Sequence, residues 1–196
     1  MPDSFPVLVY LHGFNSSPKA LKAYQLQAYL HKKRLPFDYL RPAIPDTPDQ
    51  AMVFLQNMMT ELEDRPVWLF GSSLGGFYAT WLAENRARTK AVLINPAVRP
   101  HELMHHHLGE QRNPYTDHCY RLTQEHMQAL QSWHVNRIKH PERFLLLLQM
   151  ADEVLDAAEA SRHFYQSRCM IEPGGNHRFA GLYRYFPDIF SWLVWE

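Results

Sequence analysis

The 196-residue sequence predicts an α/β fold: a mainly parallel sheet with helices on both faces. Three observations carry that prediction. Short β-rich runs alternate with longer helical ones along the chain, the pattern of a sheet wound through crossover helices. The runs at 67–70 (VWLF) and 144–149 (FLLLLQ) are apolar at successive positions, which marks strands buried on both faces. A hinge of small residues at 71–76 (GSSLGG) turns an apolar strand directly into an amphipathic helix.

The elements follow in order. Strands are expected at 5–11, 37–40, 67–70, 90–94, 144–149 and 167–171. The first helix lies in SSPKALKAYQLQAYLHKKR, with Ser17 as N-cap and Pro18 at the first helical position. The second, TPDQAMVFLQNMMTELE, repeats the device with Thr47 and Pro48, and Gln50 completes a capping box. Helices at 74–86 and about 154–165 fill later gaps, and another closes the chain. Between the strands at 90–94 and 144–149 stand some fifty residues rich in His, Gln, Asn and Pro. Ordinary connections run about 2–6 residues, so this stretch reads as an insertion, at about 96–142, capping one end of the sheet near the site. The whole of 1–196 is expected to be one domain.

Composition narrows the class. Apolar residues make up 46% and charged residues 20%, as in soluble globular chains. Twenty basic side chains offset twenty acidic ones, which argues against nucleic acid and against an anionic membrane surface as partners. No apolar run approaches the roughly 20 residues that span a bilayer. FPVLVYLHG already reads as a core strand from Phe5, leaving no room for a signal peptide. Cys119 and Cys169 read as two free thiols in a reducing cytoplasm. A cytoplasmic monomer or homodimer acting on a small molecule is expected.

The hinge carries chemistry. Gly71-Ser72-Ser73-Leu74-Gly75 fits G-x-S-x-G, in which a serine on a strand-to-helix turn presents its hydroxyl outward. Flanking side chains would collide in such a turn unless they are glycine. Ser73 has Gly71 and Gly75 two places to either side, whereas Ser72 would have Phe70 and Leu74. Ser73 is therefore the nucleophile candidate. Its partners should follow in the chain order acid, then histidine. Met150-Ala151-Asp152-Glu153-Val154-Leu155-Asp156 follows one strand, and Pro173-Gly174-Gly175-Asn176-His177 follows the last. Asp152 is preferred as acid: Glu153 should face the other way, and Asp156 better suits the N-cap of the next helix. His177 is the base among twelve histidines, because its loop ends the final strand. In YLHGFNSSP, His12-Gly13 turns the backbone toward the nucleophile. The N–H groups of Phe14 and Leu74 are then the expected oxyanion donors. His12 reads as structural, Asn15 as a turn cap or substrate contact, and Arg99 as a loop salt bridge.

LHGFNSSP, GSSLGGFYATWLAE, NPAVRP, NPYT, DEVLD and GGNHRF, taken together, resemble the α/β-hydrolase superfamily and, within it, the YqiA/YcfP-type small bacterial esterase family. The resemblance runs from about Val7 to the C-terminus. It implies a serine esterase needing no metal or cofactor, acting on acyl esters and acyl-CoA thioesters, with Ser73, Asp152 and His177 as nucleophile, acid and base. Hydrolases of this superfamily commonly carry glycine before the acid, where this chain has Ala151. The short chain implies an open pocket for short to medium acyl groups, met by apolar residues of the insertion. Activity should rise with pH as the base loses its proton.

Two rival readings use other features. His101, His105, His106, His107, His118 and Cys119 crowd the insertion, and imidazole and thiolate suit Zn²⁺. The scaffold could instead bind a ligand without turning it over.

Overall fold

The computed structural model describes residues 5–62 and 64–195. Six strands form one sheet: β1 (Val7–Leu11), β2 (Asp38–Leu40), β3 (Val67–Ser72), β4 (Thr89–Ile94), β7 (Phe144–Gln149) and β8 (Arg168–Glu172). Their order is β2-β1-β3-β4-β7-β8, and every neighbouring pair is parallel. The register aligns their carboxyl ends. Leu11 lies opposite Gly71, Ser72 opposite Ile94, and Gln149 opposite Glu172. The loops that follow these strands therefore emerge along one rim, where ligands of open α/β sheets sit.

Alternation along β1 sends Val7, Val9 and Leu11 to one face and Leu8 and Tyr10 to the other. The first face is covered by α2 (Pro48–Glu61), α3 (Leu74–Asn85) and α6 (Ala157–His163), the second by α1 (Leu21–Lys33) and α7 (Phe186–Trp195). β3, β4 and β7 lie between neighbours and are buried along nearly their whole length, which is why VWLF and FLLLLQ carry no polar alternation. Each fully buried Leu, Val or Phe there contributes about 1.5–3 kcal/mol.

The segment between β4 and β7 holds α4 (Pro100–Leu103), a turn of 3-10 helix at 104–107, the antiparallel hairpin β5 (Gly109–Arg112) and β6 (Cys119–Leu122), and α5 (Gln124–Ser132). Met104, Tyr120, Leu122, Met127 and Leu130 join the core cluster shared with α2 and α3. The hairpin reaches the first loop of the sheet, where Asn113 donates to the Ser16 carbonyl at 3.1 Å and to Asp46 at 2.7 Å.

Two helix starts differ from the sequence expectation. Ser17 does not cap α1. Its Oγ accepts from the Lys19 N–H at 3.1 Å and its carbonyl from Ala20 at 3.1 Å, closing a separate turn, so the helix starts at Leu21. Thr47 and Pro48 do begin α2, but no side-chain cap bond forms there and the box with Gln50 is not made. Glu63, the last residue of that expected helix, lies outside the described residues, as do residues 1–4 and 196 of the expected domain.

Candidate active site

Between the end of β3 and the start of α3 only Ser73 remains to make the turn. It lies at φ 55°, ψ −120°, a conformation that costs a non-glycine residue about 1–3 kcal/mol and persists only where its surroundings impose it. Here the surroundings are mostly backbone. A Cβ on Gly71 would come within 2.5 Å of the Gly75 carbonyl oxygen, and one on Gly75 within 2.1 Å of the Leu11 carbonyl oxygen. These glycines let α3 press against the ends of β1 and β3. Ser73 is then pinned from both sides: its N–H donates to the Ile94 carbonyl at 3.1 Å, and its carbonyl accepts from Gly76 at 2.9 Å and Ala97 at 3.1 Å. Ser72, by contrast, is buried, and its hydroxyl pairs with the Tyr10 phenol.

Ser73 Oγ lies 3.0 Å from His177 Nε2, and His177 Nδ1 lies 3.0 and 2.9 Å from the two carboxyl oxygens of Asp152. The Asp152 side chain is 1% exposed and that of His177 21%. Asp152 Oδ1 also accepts from the N–H groups of Val154 at 2.8 Å and Leu155 at 2.9 Å. Burial alone would raise the carboxyl pKa. The hydrogen bonds from His177, Leu155 and Val154 outweigh it and hold Asp152 below the usual carboxylate range. An ionised Asp152 keeps the proton of neutral imidazole on Nδ1, which leaves Nε2 to accept from Ser73. The same bonds delay α6. With the Val154 and Leu155 N–H groups engaged, the helix begins at Ala157, capped by Asp156 through the Ala158 N–H at 2.8 Å. Ala151 is not among the residues with positive φ, so the alanine at this position costs no backbone strain.

Three residues to which the sequence assigns no role hold the loops of Asp152 and His177 together. Glu153 was expected to face away. Instead its Oε2 accepts from the His177 backbone N–H at 3.0 Å, because the Asx turn at Asp152 swings the next side chain toward the neighbouring loop. Gln149, buried at the end of β7, accepts from the Asn176 N–H at 2.9 Å and donates to the Ala180 carbonyl at 3.0 Å. Asn95, buried after β4 at φ 39°, donates to the Asn176 carbonyl at 3.0 Å and accepts from the Gln149 N–H at 3.0 Å. For Asn95 and Gln149, an amide residue following an apolar run (AVLI in β4, FLLLL in β7) was the available signal, since buried amides persist when hydrogen-bonded.

The loop after β1 packs against Ser73: a Cβ on Gly13 would lie 3.1 Å from Ser73 Cβ. This brings Phe14 to the same corner as Leu74, the first residue of α3. Among the described residues no loop hydrogen bond uses either N–H. His12 is buried, and burial lowers its pKa; its Nε2 accepts from the Ile44 N–H at 3.2 Å, fixing the loop. Asn15 accepts from the Tyr120 hydroxyl at 2.7 Å, which ties the insertion to that loop. Ser73 and His177 open into a groove of about 430 Å³ whose lining includes Phe14, Leu21, Tyr115 and Phe179. Of the insertion, Tyr115 reaches this groove; the apolar wall expected from the insertion is supplied largely by the loop after β1 and the start of α1.

The histidines of the insertion do not converge. His105, His106 and His107 are exposed, and the His101 ring meets His134 at 5.7 Å between centroids. Among the described residues no three His, Cys, Asp or Glu side chains are grouped as a metal site. Arg99 pairs with Glu159 and Glu102. No described helix is long and apolar enough to cross a membrane.

The sequence model of an uncharacterised protein family, UPF0227, matches residues 7–194. The fold is similar to that of α/β hydrolase domain-containing protein 10 from mouse (TM-score 0.75, 16% identity, covering 99% of this chain and 93% of that one). It is also similar to Est1E from Butyrivibrio proteoclasticus (TM-score 0.70, 15% identity, 98% and 90%). The esterase domain of a Rhodothermus marinus protein gives a TM-score of 0.66 at 16% identity over 96% and 85%. At such identities the likeness concerns the fold.

Proposed function

The chain belongs to UPF0227, the YqiA-type family of the α/β-hydrolase superfamily, and on that premise we propose that it is a serine esterase. The observation that carries the reading is the continuous relay Asp152–His177–Ser73, with every link near 3.0 Å and the serine held in a strained turn at the rim. Ser73 Oγ attacks the ester carbonyl carbon while its proton passes to His177 Nε2. The oxyanion so formed takes hydrogen bonds from the Phe14 and Leu74 N–H groups. The tetrahedral intermediate collapses, breaking the bond to the leaving oxygen or sulfur, which receives the proton from His177. Water, deprotonated by the same imidazole, then releases the acid from Ser73. Asp152 stays ionised and stabilises the imidazolium.

Substrates are carboxylic esters with short to medium acyl groups, consistent with a groove of about 430 Å³ open to solvent. Thioesters, acyl-CoA among them, fit the same chemistry, because a thiolate leaving group asks less of the acid. A fluorophosphonate probe tests the reading. It is expected to label wild type and Ser72→Ala but not Ser73→Ala, with 4-nitrophenyl ester hydrolysis lost in Ser73→Ala by about 10⁴ to 10⁶ in kcat. Labelling of Ser73→Ala, or an inert wild type, would overturn it; the latter outcome would favour a scaffold that only binds.

A further inference from the structure

The charged side chains that line the groove at Ser73 are basic, while the nearest carboxylates, Asp152 and Glu153, are turned onto His177. Lys22 and Arg178 stand among its lining residues, and none of the described lining residues is an aspartate or glutamate. The shortage is local, since the chain as a whole has twenty acidic side chains for twenty basic ones. Several arginines elsewhere pair with carboxylates: Arg65 with Asp38, Arg99 with Glu159, Arg112 with Asp117, Arg184 with Glu172. Lys22 and Arg178 make no ion pair with any described residue.

The two cations are brought together by the fold. Arg178 directly follows the base His177, and Lys22 lies in the first turn of α1. Lys22 Nζ donates to the Arg178 carbonyl at 2.8 Å. Burial first, and the nearby Arg178 guanidinium second, push the Lys22 pKa down to about 8. A partly desolvated ammonium beside a like charge is unfavourable by itself. Such an arrangement is relieved by a bound anion, and it resembles the perturbed clusters found at functional sites. Lys22 has three donors and spends one on the Arg178 carbonyl, so two remain. The exposed rings and alkyl groups of Leu21 and Tyr115 would flank a ligand held there.

We propose that the natural substrate is an ester or thioester carrying an oxyanion group, carboxylate or phosphate, which Lys22 and Arg178 bind while the scissile carbonyl lies at Ser73. This rests on the esterase reading and adds to it a substrate class and two specificity-determining residues. The anion gives the substrate its orientation in a groove otherwise open to solvent. It also brings an electrostatic field that draws anionic substrates to the rim.

Paired substrates test the proposal with the anion on either side of the ester. One pair is 4-nitrophenyl hydrogen adipate against 4-nitrophenyl hexanoate. The other is 4-carboxyphenyl butyrate against 4-acetylphenyl butyrate. The readout is the ratio of kcat/KM for the anionic member to that for the neutral one, in wild type, Lys22→Gln, Arg178→Gln, the double variant and Lys22→Arg. In at least one pair the ratio is expected to fall tenfold or more in the double variant, mainly through KM, and to be largely restored in Lys22→Arg. The wild-type ratio should also decline as pH passes about 8 and Lys22, which faces Arg178 with Tyr10, Tyr115 and His177 in the same groove, loses its charge; Lys22→Arg should keep it. If both pairs are hydrolysed and no ratio moves in any variant, the proposal fails while the esterase reading stands. If no ester is hydrolysed and Ser73 resists the fluorophosphonate probe, the esterase reading fails and the proposal falls with it.

Discussion

The rim at the strand ends and the insertion between β4 and β7 lie side by side yet are built on opposite principles. At the rim, backbone presses on backbone: a methyl group on Gly75 would lie 2.1 Å from the Leu11 carbonyl oxygen. In the insertion, Gly109 has no heavy atom within 4 Å of the place its Cβ would take, and most of the residues at 105–119 are exposed. The rim holds Ser73 in a strained conformation and ties its loops through Asn95, Gln149 and Glu153. The insertion sends Tyr115 to the groove and Tyr120 to Asn15, and otherwise covers α2 and α3. Close packing is what converts residue type into chemistry here. A tolerant segment can carry many histidines without making a site.

Substitutions paired across and within these regions can break that contrast. The largest effect is expected at Asp152. Asp152→Asn should lower kcat by about 10⁴, because the amide no longer holds imidazole in the working tautomer. Asp156→Ala, four residues on, should lose an N-cap worth about 1 kcal/mol and keep esterase activity within a few-fold. Rates on a 4-nitrophenyl ester, alongside thermal unfolding, check both. Comparable loss of kcat in the two variants would move the acid role away from Asp152.

Stability comes next. Gly75→Ala should cost more than about 3 kcal/mol or prevent folding, since backbone rather than a movable side chain blocks the added methyl. Gly109→Ala meets open space and pays only for its φ of +108°, about 1 kcal/mol. Urea unfolding midpoints measure the difference. Equal midpoints would show that α3 can withdraw from β1, and the account of the elbow would then be wrong.

The smallest effect concerns positioning. Glu153→Ala removes the acceptor for the His177 N–H and should reduce kcat by about tenfold with little change in KM, as expected for a slightly misplaced base. Glu153→Gln keeps an acceptor and should recover most of the rate. If neither variant changes kcat, the base loop is held by Gln149 and Asn95 without help from Glu153.

The legibility of the site follows the same division. G-x-S-x-G could be read directly because a strand-to-helix turn excludes side chains at fixed offsets, and the register argument chose Ser73 over Ser72 for that reason. Asp152 and His177 were legible from their places after β7 and β8. Glu153 was not. Its direction depends on the Asx turn that Asp152 makes with Val154 and Leu155, a local conformation that alternation rules do not describe. The start of α1 was misread for a similar reason, with Ser17 spending its hydroxyl on a turn that closes before the helix begins.

By itself, then, the sequence determined the parallel sheet, the strand-to-helix elbow at Ser73 and the places of Asp152 and His177 after β7 and β8. The first two depend on contacts close in the chain or on buried, largely apolar strands, and the third on the loops that end those strands. Tertiary structure alone decided that Asn95 and Gln149 would clamp the loop of His177, and that Lys22 would meet Arg178, 156 residues away, in a groove with no carboxylate among its described lining residues. Those are encounters between segments distant in sequence, set by strand order and register, and a side chain's charge says nothing about its neighbours until the chain has closed around it.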